Sequence, residues 1–320
     1  MVNKQFICCP ICHGPALFRH RHSIDCIAAA HAPPARDADR YARLLTEVAR
    51  LWPEGFVDVC TCAACALGFA WPLVEGDAGF YSVLHERVGY PRERWEFRRA
   101  REHFIGATER VLDVGAGQGD FLASLPAGVE KHAIETSPAL CAALVARGIT
   151  THATLDAAAL AGPYSTITLF HVLQYFADPV GTLTRCRAML AAEGRLLISI
   201  PNATTGGDSI ARLTSPPHPL TRWTQSSLEK AIARAGLVAV GPCEWIPRGA
   251  TALLWDAHAA TRSRAAEAPT SLAGRIDARP KGGLRTALLT ALALAKLPGV
   301  LRHARSRMSR SQMFIACRLG

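Results

Sequence analysis

The chain has 320 residues, of which 49% are apolar and 7% aromatic, so it can bury a sizeable core as one large domain with a smaller one. Its formal net charge is +10, but eleven Lys and Arg against two acids fall between Ala259 and Arg310, a local net of +9. Such placement excludes a uniformly basic coat for nucleic acid and leaves one segment to explain. The start carries no long apolar run behind a basic stretch, and eleven cysteines point to metal binding or buried thiols in a reducing compartment. The expected location is the cytoplasm.

Two C-x-x-C pairs open the chain, Cys9 with Cys12 and, some fifty residues on, Cys62 with Cys65. Four thiolates at these spacings suit a tetrahedral structural zinc site with no open position, the layout of a zinc ribbon. The wide gap predicts an insertion, with its own helix over Asp39 to Leu51. Cys8, Cys26, Cys60, His13, His20 and His22 are further ligand candidates, and cysteines that hold no metal are the other reading. Residues 1–75 are assigned to this N-terminal domain and 76–320 to a second one.

Arg110-Val111-Leu112-Asp113-Val114 reads as an apolar strand running into Gly115-Ala116-Gly117-Gln118-Gly119 and then an amphipathic helix. A ligand pressed against the carboxyl end of a strand leaves no room for Cβ atoms, which is what these glycines provide. A dinucleotide loop of the G-x-G-x-x-G kind would need glycine at 120, where Asp120 stands. The G-x-G-x-G run after the acidic Asp113 resembles the first motif of class I S-adenosylmethionine-dependent methyltransferases. A second strand, His132 to Ile134, ends in Glu135, placed to accept hydrogen bonds from both ribose hydroxyls. A third, near Ile149 to Ala153, leads to Leu155 and Asp156. The resemblance puts Leu155 on the adenine ring and Asp156 on its amino group, while Asp156 is equally suited to cap the turn Ala157 to Leu160.

The fourth strand, Thr166 to Phe170, runs into His171-Val172-Leu173-Gln174-Tyr175-Phe176-Ala177-Asp178-Pro179. Helices over 179–190 and 226–235 and strands at 195–200, 237–240 and 312–318 complete a seven-stranded Rossmann-like α/β sheet. The basic segment, about 256–310, is then a helical insertion before the last strand. An apolar run there, Ala287 to Leu301, is broken by Lys296 and Pro298 and is too short to span a bilayer. It suits an anionic membrane surface, a negatively charged acceptor, or a helix packed on the sheet with a solvated basic face.

The whole layout is similar to class I methyltransferases with an N-terminal zinc-binding ribbon, of the bacterial sugar and polysaccharide tailoring type. The carriers are Cys9-Pro10-Ile11-Cys12, Cys62 to Pro72, Phe80-Tyr81, Arg94 to Arg99, the His171 run, and Pro216-Pro217-His218-Pro219 with Trp223. Gln174 and Tyr175 stand where the family has Glu and His, Ser165 replaces an Asp, and Pro219 a second His. The resemblance implies S-adenosylmethionine as cofactor, held by Asp113, Gly115, Gly117, Gly119, Glu135, Leu155, Asp156, Phe170 and His171, with the aromatic lead-in helix over its methionine end. A general base for a hydroxyl acceptor is sought among His171, His218, Tyr175 and Tyr81. The leading function is methyl transfer to a small polar, glycan-type or lipid-linked acceptor. The alternatives are an RNA methyltransferase, against which the basic segment lacks interleaved aromatics, and a non-catalytic adaptor that keeps the cofactor fold.

Overall fold

A computed structural model describes residues 7–86, 92–203, 215–247, 271–277, 283–295 and 310–320. Most of the basic segment lies outside the described residues; of it, helices Leu272–Asp277 and Gly283–Ala295 are described. No helix among the described residues is long and apolar enough to cross a membrane.

The chain begins with a small antiparallel sheet. Strands β1 (Ala16–Ser23), β2 (Phe56–Cys62) and β3 (Gly68–Trp71) pair in that order, with helices α1 (Ile24–His31) and α2 (Ala38–Leu51) inserted between β1 and β2. Helix α2 begins where the Asp37 side chain accepts from the Arg40 N–H, and it buries Leu44, Val48 and Leu51 on one face. Arg40 turns inward and donates to the carbonyls of Val83 and Leu84 at the end of α3 (Ala78–His85) and to that of His31 at the end of α1. One buried guanidinium thereby satisfies C-terminal carbonyls of two helices.

The larger sheet is built on five parallel strands: β4 (Arg110–Val114), β5 (Glu130–Ile134), β6 (Thr150–His152), β7 (Tyr164–Phe170) and β8 (Leu190–Pro201). Along the sheet the order is β8-β7-β4-β5-β6, extended by β12 (Arg310–Leu319) antiparallel to β8. Strands β10 (Leu237–Ala239) and β11 (Glu244–Pro247) both pair with β12, one at each end of it. The chain reverses its strand order between β4 and β7, which opens a crevice at their carboxyl ends. The predicted seven-stranded α/β sheet and its delayed last strand are therefore present. The sixth position is split in two, since Gly241 and Pro242 interrupt the pairing.

The helix expected after the glycine loop is only one turn, α5 (Asp120–Ala123), because Pro126 cannot donate to continue it. Gly119 caps that turn at φ 73°, and a Cβ there would collide with Leu144 of α6 (Pro138–Ala146). Gly119→Ala therefore combines left-handed strain with overpacking, and is expected to lower unfolding free energy by ~2–4 kcal/mol in urea titration.

The two sheets are not independent bodies in sequence. Strand β9 (Thr221–Arg222), from beyond β8, adds to β3 through Phe69 opposite Thr221. One apolar cluster runs from Ile11, Leu67 and Phe69 through Trp223 to Leu169 and Ile198 of the large sheet.

Candidate functional site

The glycine loop stands at the carboxyl end of β4, in the crevice between β5 and β7. Gly115 and Gly117 have φ of 74° and 56°. A Cβ on Gly115 would come within 2.7 Å of Val172, so the loop and the turn after β7 are in close contact. A Cβ on Gly117 would meet nothing within 4 Å and would project into open space, where a ligand resting on the loop would lie.

Glu135, at the end of β5, accepts from the Gly117 N–H at 2.9 Å on one oxygen and from the N–H groups of Thr136 and Ser137 on the other. Three backbone donors fix the carboxylate, and the remaining lone pairs stay available for hydroxyl donors. Leu155 is buried at the start of α7 (Leu155–Ala159). The cap of α7 is Thr154, whose hydroxyl accepts from Ala157 N–H, so Asp156 is not the cap; its side chain is 84% exposed.

Asp113 is buried at 4% exposure and accepts from the Thr168 hydroxyl at 2.6 Å. Burial pushes its carboxyl up to about 7 against that hydrogen bond and the positive charge of Arg94, with the charge of Glu135 adding to the rise. A folded-state value above the unfolded one means stability is full where both states are protonated and is lost as pH rises through the window between about 4 and about 7. Asp113→Asn should remove that fall: measured without ligand, the variant gains on the wild type by a few kcal/mol between those pH values.

His171 sits at the end of β7 at φ 56°, a left-handed conformation rarely adopted by a residue with a Cβ. Its N–H donates to the Ser199 carbonyl, and its Nε2 lies 2.7 Å from Glu96 Oε1 and 3.3 Å from Ser199 Oγ. Glu96, in α4 (Trp95–His103), is 1% exposed; burial opposes its charge, yet His171, and more weakly Arg94, hold the carboxyl below its ordinary range. Phe170 packs with Phe97 and Phe121 beneath this pair. Sequence reasoning placed α4 over the site but missed Glu96. The signal was an acid among basic and aromatic neighbours, which reads as solvated until its burial is seen.

Across the crevice Tyr175 stacks on His218 at 4.4 Å, with the hydroxyl 3.2 Å from His218 Nε2. Tyr81 and His85, both from α3, pack edge-on to His218. His218 is buried, its Nδ1 has no hydrogen-bond partner among the described residues, and burial together with the neighbouring His31 and His85 pushes its pKa down to about 3. The departure at Gln174 has a local cause. Its side-chain amide donates to the His171 carbonyl at 2.7 Å, a bond a carboxylate could not make, while its backbone carbonyl accepts from the Leu220 N–H and the Thr221 hydroxyl. Ser165 likewise bonds both the N–H and the carbonyl of Arg110, tying β7 to β4.

The four cysteine sulfurs Cys9, Cys12, Cys62 and Cys65 lie within 4.8 Å of one another, with Cys12 to Cys62 at 3.4 Å and Cys9 to Cys65 at 3.6 Å. A tetrahedral zinc with bonds of about 2.3 Å needs sulfurs about 3.8 Å apart, so the cluster fits zinc. N–H groups of Ile11, Ala64 and Cys65 point at the sulfurs of Cys9 and Cys62. Cys8, Cys26, Cys60, His13, His20 and His22 are not part of this cluster.

Residues 84–240 match the methyltransferase domain family. A ubiquinone biosynthesis O-methyltransferase from Xanthomonas euvesicatoria pv. vesicatoria (strain 85-10) is 29% identical over 138 residues, which is 38% of this chain and 57% of that protein. Among solved structures, an S-adenosylmethionine-dependent methyltransferase from Archaeoglobus fulgidus has a TM-score of 0.48 at 14% identity, covering 74% of this chain and 99% of its own. A coclaurine N-methyltransferase bound to N-methylheliamine and S-adenosylhomocysteine gives 0.45 at 11% identity, covering 69% of this chain and 71% of its own. The family match across the glycine loop, with the strand order around it, makes residues 84–240, just under half of the chain, an S-adenosylmethionine-dependent methyltransferase domain.

Proposed function

We propose that the protein binds S-adenosylmethionine in the crevice above β4 and β7 and transfers its methyl group to a hydroxyl of a small polar or glycan-type acceptor. The single observation that carries this reading is the loop at Gly117, whose missing Cβ leaves open space beside the fixed carboxylate of Glu135. In this reading Glu135 receives the ribose hydroxyls, Gly115 and Gly119 shape the loop, Asp113 lies under the methionine end, and Leu155 and Asp156 flank the adenine. The bound cofactor supplies an already activated methyl group, so the chain's own work is orientation and exclusion of water. Phe170 and α4 close the site from one side, and the Tyr81, His85, Tyr175 and His218 rings form the acceptor wall on the other.

His171 is the favoured base because it has a buried carboxylate partner, whereas His218 and its pKa of about 3 suit a neutral wall residue. A hydroxyl acceptor is consistent with the O-methyltransferase named above, over the stretch it shares. Zinc in the cysteine cluster is structural here, since four thiolates leave no open position. The insertion near residues 256–310 would contribute acceptor or anionic-surface contacts, with residues 1–75 as the zinc-binding domain.

Purified protein incubated with methyl-labelled S-adenosylmethionine and panels of sugars, lipid-linked sugars and RNA tests the reading. Label is expected in a hydroxyl-bearing small or lipid-linked acceptor. Label in RNA alone, or in none while the protein binds the cofactor, would overturn it in favour of the nucleic-acid or the adaptor alternative.

A further inference from the structure

The turn after β7 and helix α4 meet at an ionisable pair, His171 and Glu96. Glu96 is almost wholly buried, and burying a carboxylate costs free energy unless a partner meets its charge. Its charged neighbours among the described residues are His171 at 2.7 Å and Arg94 at 3.8 Å. Arg94 also lies close enough to Asp113 to lower that group's pKa, so its charge is shared between two acids. His171 is the nearer partner, and it is held there in a left-handed backbone conformation that a packing role alone would not require. The carboxylate can only accept, so the ring nitrogen facing it, Nε2, carries the proton. Nδ1 then has no protein partner among the described residues and presents a lone pair. His171 follows β7 directly, and the next residue, Val172, is the side chain that excludes a Cβ from Gly115, so this turn runs against the glycine loop.

We propose that Glu96 is a positioning residue for methyl transfer: it fixes the Nε2–H form of His171 and supplies the counter-charge when Nδ1 takes the acceptor's hydroxyl proton. The chemistry rests on the function proposed above, while the arrangement itself can be tested without any acceptor. In the step, the acceptor oxygen bonds the methyl carbon and the electron pair of the broken carbon–sulfur bond stays on sulfur. The hydroxyl proton passes to His171 Nδ1, and the imidazolium so formed is neutralised by Glu96. Atoms and charge balance with no further reactant. Of the groups facing the ring, Glu96 comes from α4, Arg94 from the residue that precedes it, and the neutral Ser199 from β8.

The test is two-bond proton–nitrogen NMR of the full-length, metal-loaded protein labelled with nitrogen-15, with the His171 signals assigned by their loss in His171→Gln. At about pH 8, where an imidazole is neutral, the wild type should show Nδ1 without a proton. In Glu96→Gln the share of His171 with the proton on Nε2 at that pH should fall, because an amide can present a donor as well as an acceptor to the ring. Calorimetric affinity for S-adenosylmethionine should stay within about threefold of the wild type. A neutral wild-type ring with the proton on Nδ1 would overturn the proposal. So would a tautomer share that does not change in Glu96→Gln, or a cofactor affinity that falls more than about tenfold and so places Glu96 among the binding groups. If the Gln variant does not fold, the wild-type spectrum still decides. None of these readings depends on methyl transfer, so a failure of the function and a failure of the pair are told apart.

Discussion

Gly117→Arg is expected to weaken S-adenosylmethionine binding by about 100-fold or more, read by calorimetry, while unfolding free energy falls by only ~1–2 kcal/mol. The two effects separate because of where the position faces. Its Cβ direction is empty of protein atoms, so a long side chain has room in the ligand-free fold. The stability cost is the left-handed backbone at φ 56°, which a residue with a Cβ tolerates poorly. The binding cost is steric and electrostatic together, since the guanidinium would reach toward Glu135, the group assigned to the ribose. Gly119→Ala makes the contrast, because its cost falls on packing against Leu144.

The second large effect is expected from the cysteine cluster. Stripping zinc with a chelator, or replacing Cys62 by Ser, should unfold the N-terminal sheet and lower the melting temperature of the whole chain by about 10 °C or more. Cys62 is in β2, its sulfur is 3.4 Å from that of Cys12, and it accepts N–H donation from Ala64 and Cys65. Without a cation, four thiols crowd into a buried pocket where burial pushes the Cys9 thiol up to about 11. The damage is expected to spread because the cluster borders the core shared with Trp223, Leu169 and Ile198. Thr224, the N-cap of α9 (Gln225–Arg234), also donates to the Cys65 carbonyl. Zinc quantified alongside calorimetric melting checks this, and a metal-free protein that melts as the zinc-loaded one does would refute it.

What could be read from the sequence was what short-range pattern controls. Glycine spacing after an apolar strand, acids at strand ends and paired C-x-x-C knuckles each act within a few residues, and they located the glycine loop and the cysteine cluster. What could not be read was set by long-range contact. Strand β9 has two residues and exists because β3 offers an edge to it. The burial of Glu96 depends on His171, 75 positions away. Tyr81 was legible as aromatic, but its place beside His218 follows from α3 folding back against α2 and the loop before β9. Asp156 misled for the opposite reason: both it and Thr154 are good caps, and the choice of Thr154 lies in backbone geometry at a single position.

The central claim is a cofactor seated on the glycine loop with its ribose on Glu135. A crystal structure of the zinc-loaded protein with S-adenosylmethionine tests it directly. Both ribose hydroxyls are expected within hydrogen-bond distance of the Glu135 carboxylate, with the methyl group facing His171. A ligand bound elsewhere, or a loop that stays empty at saturating cofactor, would contradict it.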